Sequence, residues 1–191
     1  MNVADSGWLG RSLAQMGWEE APLDQAQVYV VNTCSVRDKP EQKVYSLLGR
    51  LADQLARDPD IFCAVGGCVA QQIGEKLWKR FPFVRLVFGA DGVSQAPAAL
   101  SRLAAQPGLR LSLLDFTESY AERDPALPGA SRSPQAFVNI MQGCDNFCAY
   151  CIVPYVRGRQ KSREAGAILA ECSALAASGV KDVTLLGQNV N

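Results

Sequence analysis

The densest group of reactive side chains in this 191-residue chain is a set of three cysteines in one short segment. Cys144, Cys148 and Cys151 follow the spacing C-x3-C-x2-C. Soft thiolates at this density suit an iron–sulfur cluster or a zinc ion. Structural zinc usually takes four ligands, whereas three thiolates on a four-iron cluster leave one iron open for another molecule. The spacing therefore favours a cluster with an open iron over a structural zinc knuckle.

The composition excludes several other kinds of chemistry. The chain contains no histidine, which rules out a Ser-His-Asp triad and histidine-ligated zinc or haem. It carries 19 basic and 19 acidic residues, so its net charge gives no field that would hold a polyanion. The sequence shows neither a membrane-spanning run nor a secretory signal, and we expect no membrane association and a cytoplasmic location. Cysteines stay reduced there and are more often ligands than disulfide partners.

Two further cysteines follow predicted strands. The β-branched run 27–31 predicts a buried strand that precedes Cys34, and the run 61–65 predicts a second strand that precedes Cys68. Strands alternate with helical patterns in this half of the chain, which favours an α/β fold with a parallel sheet. Sites form at the carboxyl ends of such strands, so we expect Cys34 and Cys68 to lie at one edge of the sheet.

The remaining pattern divides the chain into two parts. Helices are predicted at 6–16, 39–57, 71–80 and 93–105, and further strands at 85–88 and 109–115. Proline-rich residues 117–135 predict a linker between a domain at 1–116 and another at 136–191. The second domain contains strand 136–141, helix 164–177 and strand 182–186. One β-α-β unit cannot bury its sheet faces, so we expect the chain to be part of a longer protein.

Several motifs resemble those of the tRNA methylthiotransferases, and the triple-cysteine segment resembles the radical S-adenosylmethionine (SAM) signature within that family. The motifs are Asn32-Thr33-Cys34-Ser35-Val36-Arg37, Lys39-Pro40-Glu41-Gln42-Lys43, Gly66-Gly67-Cys68, Val153-Pro154-Tyr155, Arg157-Gly158-Arg159 and Leu185-Leu186-Gly187-Gln188-Asn189-Val190-Asn191. The branch acting at C2 of N6-isopentenyladenosine (N6-dimethylallyladenosine) beside the anticodon is the most similar. The alternatives are the branches acting on N6-threonylcarbamoyladenosine or on a ribosomal protein, and a non-catalytic metal-binding module.

The resemblance implies a fold and two cofactor sites. The fold would be a Rossmann-like or flavodoxin-like methylthiotransferase domain, followed by the first β-α-β unit of a partial (β/α) barrel. Cys144, Cys148 and Cys151 would hold a 4Fe-4S cluster that binds SAM and cleaves it to a 5′-deoxyadenosyl radical. Tyr150 would lie near the adenine of SAM. Gln188 and Asn189 would lie near the same site, at the end of the second barrel strand.

The resemblance also implies a second 4Fe-4S cluster, with Cys34 and Cys68 as two of its three ligands. The family's first cysteine precedes a Met-Asn pair, and this sequence begins with Met1 and Asn2. We therefore expect the first strand and its cysteine, and the C-terminal part of the family's chain, to be missing. Cys63 is a possible substitute ligand, although strand geometry points it into the core. The implied partners are tRNA and a reductant such as flavodoxin or ferredoxin, with a monomeric enzyme.

Three minor features have simpler interpretations. Cys63 and Cys172 are expected to be small buried hydrophobic residues, because free cysteine is among the most buried residue types. The Gly66-Gly67 pair predicts a tight turn rather than a phosphate-binding loop, since no Gly-Lys-Ser/Thr follows it. A short basic stretch predicts either contact with RNA phosphates or a solvated loop. Its members are Arg157, Arg159, Lys161 and Arg163.

Overall fold

A computed structural model of the chain describes residues 1–35, 39–55, 58, 60–123 and 134–190. They form two compact units, one of residues 20–115 and another that combines residues 1–19 with those from 116 onward. The elements in chain order are α1 (Asn2–Gln15), β1 (Val28–Thr33), α2 (Pro40–Leu55), β2 (Phe62–Gly67), α3 (Cys68–Ile73), α4 (Lys76–Arg80), β3 (Val84–Phe88), a 3₁₀ turn (Asp91–Ser94), α5 (Ala96–Ala105), β4 (Leu111–Leu113), β5 (Gln135–Asn139), β6 (Met141–Gln142), α6 (Val153–Arg157), β7 (Lys161–Ser162), α7 (Ala165–Ala177) and β8 (Asp182–Leu186).

The unit of residues 20–115 is built on a parallel sheet with the strand order β1-β2-β3-β4. Every residue of β2 and β3 is buried, as expected for strands covered on both faces. Helix α2 buries an apolar stripe in this core, because residues three and four apart share one helix face. The buried members of the stripe are Val44, Leu48, Leu51 and Leu55. The predicted α/β fold with a parallel sheet is therefore confirmed.

The structure differs from the sequence-based expectations around β2 and β3. Residues 71–80 were expected to form one helix, but α3 begins at Cys68 and is separate from α4. The predicted Gly-Gly turn is wrong, because Gly66 and Gly67 end β2 and α3 follows directly. Gly66 lies against the Phe88 ring, where any Cβ would overlap it. Close packing on the neighbouring strand, rather than a turn, therefore requires the glycine.

The second unit contains the β-α-β arrangement expected from its sequence. Strands β5 and β8 pair in parallel and α7 connects them, while β6 and β7 pair antiparallel. Helix α1 packs against β5. Residues 1–19 thus belong to this unit in the structure, whereas the sequence placed them with residues 20–116. The domain boundaries at 116 and 136 stay a prediction, and most of the expected linker, 124–133, lies outside the described residues.

None of the helices in the described ranges has the length and apolar character of a membrane span.

Candidate metal centre

The triple-cysteine segment lies in the connection between β6 and β7. The antiparallel pairing of Gln142 with Lys161 brings the two ends of this connection side by side. Gly143 begins it with a φ of +81°, and a Cβ here would overlap the carbonyl oxygen of Arg159. A residue with a side chain would therefore meet both backbone strain and a steric clash. The glycine before Cys144 is required by this close approach of two backbone segments.

Four polar contacts hold the ends of the loop. Gly143 donates its backbone N–H to Oε1 of Gln188 at 2.8 Å, and Cys144 donates its N–H to the carbonyl oxygen of Gly158 at 3.3 Å. The backbone N–H of Gln160 donates to Oδ1 of Asp145 at 3.1 Å. Nε of Arg159 also lies 2.9 Å from that oxygen. These contacts hold the backbone on both sides of Cys144.

The three thiols differ in exposure. Cys144 is buried, Cys148 is exposed and Cys151 is half-buried, and none of them forms a disulfide. Cys151 donates its backbone N–H to the carbonyl oxygen of Cys148 at 2.9 Å, which closes a turn between them. Phe147 adopts a φ of +44°, an uncommon value for a residue with a side chain. The loop backbone is therefore tightly turned just before the second cysteine.

The donor set of this loop fits an iron–sulfur cluster in its chemistry. Three reduced thiols in one loop are soft ligands of the type that such clusters use. The sulfurs are not gathered in this structure, because no three Cys, Asp or Glu side chains of the described residues form a group able to hold a metal. The assignment of the three ligands stays a prediction that rests on residue type and spacing.

The other residues predicted for this site lie at different places around the loop. Gln188 and Asn189 follow β8, and both contact the ends of the loop: Gln188 through Gly143, and Asn189 by donating from Nδ2 to Oε1 of Gln160 at 3.2 Å. Tyr150 is 93% exposed. The structure therefore brings Gln188 and Asn189 to the loop, while the Tyr150 ring faces solvent. Their roles toward SAM stay predictions.

Cys34 and Cys68 lie at the carboxyl ends of neighbouring strands. The preceding residues, Thr33 and Gly67, are direct partners in the parallel pairing of β1 and β2. Thr33 ties this edge together, since its hydroxyl donates to the carbonyl oxygen of Gly66 at 2.6 Å and accepts from the N–H of Val69 at 3.1 Å. Cys34 is exposed and Cys68 is buried. The two cysteines share one sheet edge, as the alternation of strands and helices predicts.

Cys63 is unsuited to complete a ligand set with Cys34 and Cys68. It lies near the opposite end of β2 from Cys68, about 15 Å along the strand. Its side chain is fully buried, and burial raises the pKa of the thiol to about 12. Both the distance and the burial keep its sulfur away from the edge that carries Cys34 and Cys68. The interpretation of Cys63 as a small buried hydrophobic residue is confirmed.

Cys172 differs from the expectation. It is half-buried on α7, a helix with no buried residue among its described positions. Helix α7 packs against β5, and this packing does not fully bury Cys172. Its expected burial is therefore wrong for the described part of the chain.

Three of the four cations of the basic stretch are buried rather than solvated, and contact of the stretch with RNA stays a prediction. Arg157 is buried and donates to Oδ1 of Asn2 at 2.6 Å, and Lys161 is buried and donates to the carbonyl oxygen of Thr117 at 3.1 Å. Arg163 is buried between Glu122 and Glu171, at 2.7 and 2.5 Å. Burial alone would lower the pKa of Arg163, but hydrogen bonds to the two carboxylates outweigh it and raise the pKa above its usual value. Only Arg159 is exposed.

Sequence reasoning missed one residue that shapes this loop. Asp145, next to Cys144, accepts from Gln160 and pairs with Arg159 across the neck of the loop. The signal was present in the sequence as an acidic residue beside the first cysteine and a basic Arg-Gly-Arg run 12 residues later. The two segments meet only because β6 and β7 pair, which the sequence analysis did not predict.

Comparison with known proteins places these features in one family. The family described as "Uncharacterized protein family UPF0004" matches residues 1–89. Over the whole chain, 63% of residues are identical to a tRNA-2-methylthio-N(6)-dimethylallyladenosine synthase of Nitratidesulfovibrio vulgaris Hildenborough, covering 42% of that relative. The proteins of the same name from Oleidesulfovibrio alaskensis and Geobacter metallireducens are 56% and 48% identical, and the chain covers 41% and 43% of them.

The UPF0004 match covers residues 1–89, which include the first three strands of the parallel sheet. Over its whole length the chain is similar to tRNA methylthiotransferases, as its motifs predict. It spans about two fifths of the length of the curated relatives that it matches.

Proposed function

We propose that this protein acts as a tRNA methylthiotransferase that adds a methylthio group at C2 of N6-dimethylallyladenosine beside the anticodon. The observation that carries the proposal is 63% identity over all 191 residues with a relative named for this product. The matched region covers the whole chain, so it includes the sheet edge with Cys34 and Cys68 and the loop with Cys144, Cys148 and Cys151. The other family branches and a non-catalytic module are outcomes of the test below.

The cofactors belong to this proposal. Cys144, Cys148 and Cys151 would hold a 4Fe-4S cluster, and Cys34 and Cys68 would supply two ligands to a second one. When bound, the first cluster would supply the electron that cleaves SAM. Cys148 is exposed and accessible to an incoming cluster, while buried Cys144 lies on the fastened side of the loop.

The chain's own residues would prepare the loop for this task. Gln188 and Asp145 hold the backbone on either side of Cys144. The exposed Tyr150 ring, between the second and third cysteines, is free to stack on an adenine. Asn189, held at the neck of the loop by Gln160, presents an amide at the end of β8.

The partners and setting follow from the same proposal. The nucleic-acid substrate is tRNA, and a flavodoxin or ferredoxin supplies electrons to a monomeric enzyme in the cytoplasm. Each of these statements is open to direct measurement on the full-length protein.

The first experiment measures the product on tRNA. The full-length protein, reconstituted anaerobically, is incubated with SAM, a reductant and tRNA that carries N6-dimethylallyladenosine without the methylthio group. Nucleosides are then separated and identified by mass spectrometry. We expect 2-methylthio-N6-dimethylallyladenosine with the wild-type protein and with Cys172→Ala, and none with Cys148→Ala. Product formation by Cys148→Ala, or a methylthio group found only on another nucleoside, would contradict the proposal.

The second experiment measures the metal content directly. Iron, acid-labile sulfide and zinc are determined beside a Cys144→Ala/Cys148→Ala/Cys151→Ala triple variant. Two 4Fe-4S clusters give about eight irons per chain, halved in the variant, whereas one cluster gives about four, lost in the variant. If the protein contained zinc and no iron, the radical reaction would be contradicted and the cysteines would form a structural metal site.

A further inference from the structure

The outward face of α2 carries a row of basic side chains. Lys39 immediately precedes the helix. Lys43 and Arg50 lie four and eleven residues after Lys39, so all three side chains lie within about 40° of one another around the helix axis. Gln42 and Ser46 lie between them, and all five residues are exposed. Together they line an open cavity of about 450 Å³. We call these five residues the α2 basic row.

The cations of the α2 basic row have no acidic partner among the side chains that the structure describes. Arg157 and Arg163 are buried against carboxylates, and the exposed Arg159 also has an acidic partner. Among the described residues, no carboxylate pairs with Lys39, Lys43 or Arg50.

The first-turn acid Glu41 lies about 200° around the helix from Lys39, on the other side. The row is therefore a local positive surface in a chain of zero net charge.

The chemistry of the row fits a phosphate backbone better than a protein surface. Protein interfaces have an apolar centre enriched in aromatic residues, whereas no apolar side chain lines this cavity. Interfaces with nucleic acids are more polar and more positive, and lysine, arginine, glutamine and serine all donate to phosphate oxygens. From Lys39 to Arg50 the row extends about 16 Å along the helix, enough to meet several consecutive phosphates.

The row also starts at the edge of the sheet where a site is expected. Helix α2 crosses from the carboxyl end of β1, six residues after Cys34, back toward the start of β2. Lys39, just before the helix, and Lys43, in its first turn, therefore lie at the edge that carries Cys34 and Cys68, and Arg50 lies farther from that edge. A nucleic acid bound along the row would have one end beside these cysteines.

We infer that the α2 basic row is a docking surface for the phosphate backbone of tRNA. The inference rests on the proposed function, which names tRNA as the substrate, and adds a binding surface within the unit of residues 20–115. The zero net charge of the chain gives no sign of this surface, because acidic residues elsewhere balance its cations.

The test measures the salt dependence of tRNA binding by the full-length protein. The Lys39→Gln/Lys43→Gln/Arg50→Gln variant is compared with the wild type and with a Lys76→Gln/Lys79→Gln/Arg102→Gln control. The control removes two lysines and one arginine that are equally exposed in the same unit. The probe is tRNA carrying N6-dimethylallyladenosine, and its dissociation constant is measured between 0.05 and 0.3 M salt, about the range over which phosphate contacts are resolved.

Loss of three phosphate contacts makes the slope of log K against log salt shallower by about 2 to 3. We expect this change in the α2 variant and not in the control. Equal slopes in all three proteins, or equal losses in both variants, would overturn the inference. The α2 variant could also bind tRNA like the wild type but lose turnover with a protein reductant while keeping it with dithionite. That result would overturn the inference and would instead make the row a docking surface for an acidic electron donor.

The same measurements separate this inference from the proposed function. If the wild type forms no methylthio product but the α2 variant alone changes the salt slope, the proposed function fails and the RNA surface stands. If the wild type forms product and the α2 variant binds tRNA with an unchanged slope, only the surface is wrong.

Discussion

Oε1 of Gln188 accepts a hydrogen bond from the backbone N–H of Gly143 at 2.8 Å, joining the end of β8 to the residue before Cys144. The sequence predicted both segments as parts of one site but not this bond. Nε2 of Gln188 also contacts the sulfur of Met1, so one side chain connects three segments of its unit. Gln188 thereby positions the first cysteine through the backbone, whatever else it binds.

Replacing Gln188 tests this positioning role. Gln188→Leu removes the acceptor and leaves the N–H of Gly143 without a partner, which costs about 1 to 3 kcal/mol. Gln188→Glu keeps an oxygen at the same place. We expect a chelator to remove iron from reconstituted Gln188→Leu faster than from the wild type, and Gln188→Glu to behave like the wild type. Equal rates in all three proteins would show that the bond does not hold the loop.

Gly143→Ala tests the close approach at the neck of the loop. The new Cβ would overlap the carbonyl oxygen of Arg159, and a φ of +81° adds about 1 to 2 kcal/mol of strain. Gly166→Ala is the control, since a Cβ there has open space. We expect less iron per chain and a lower Tm for Gly143→Ala, with wild-type values for the control. Full iron content in Gly143→Ala would mean that the neck need not close for a cluster to bind.

Asp5→Asn tests the ion pairs that join α1 to the rest of its unit. The Asp5 carboxylate is buried, 2.7 Å from Arg123 and 3.7 Å from Arg157. Neutralising it leaves two poorly solvated guanidinium groups, and breaking a buried pair costs about 3 to 5 kcal/mol. The exposed substitution Asp182→Asn should change stability by less than about 0.5 kcal/mol. Urea unfolding followed by tryptophan fluorescence measures both. Equal midpoints for the two variants would contradict a structural role for Asp5.

Much of the fold could be predicted because its signals are local. The β-branched runs gave the strands of the parallel sheet, and the apolar stripe of α2 was found from its helical spacing. Cys34 and Cys68 were placed at one edge because parallel strands end together. Each of these inferences needs only residues that are close in sequence and a general rule of topology.

The rest depends on contacts between segments far apart in the chain. Arg157 looked solvated in the sequence, yet it is buried because α1 supplies Asn2 and Asp5. Arg163 is buried in the same way by Glu122 and Glu171. No local pattern distinguishes such arginines from Arg159, which stays exposed. Tertiary pairing therefore decides which cations of a basic run remain available to a ligand.

Cys63 provides a prediction about reactivity and pH. Its pKa is raised to about 12 by burial, against an unperturbed value of 9.0, so the native protein keeps it as a neutral thiol. The folded state therefore holds this proton more tightly than the unfolded state. The contribution of this thiol to the free energy of unfolding is therefore fully present below pH 9 and is lost as the pH rises toward 12.

Alkylation of the cluster-free protein with iodoacetamide at pH 8, read by mass spectrometry, tests this environment. We expect rapid labelling of the exposed Cys34 and Cys148, and no labelling of Cys63 until the protein is unfolded in urea. The same burial predicts that Cys63→Ala leaves iron per chain unchanged, because a buried thiol at the far end of β2 does not reach the edge that carries Cys34 and Cys68. Labelling of Cys63 at the rate of Cys34, or loss of iron in Cys63→Ala, would instead place its sulfur at the cysteine edge of the sheet.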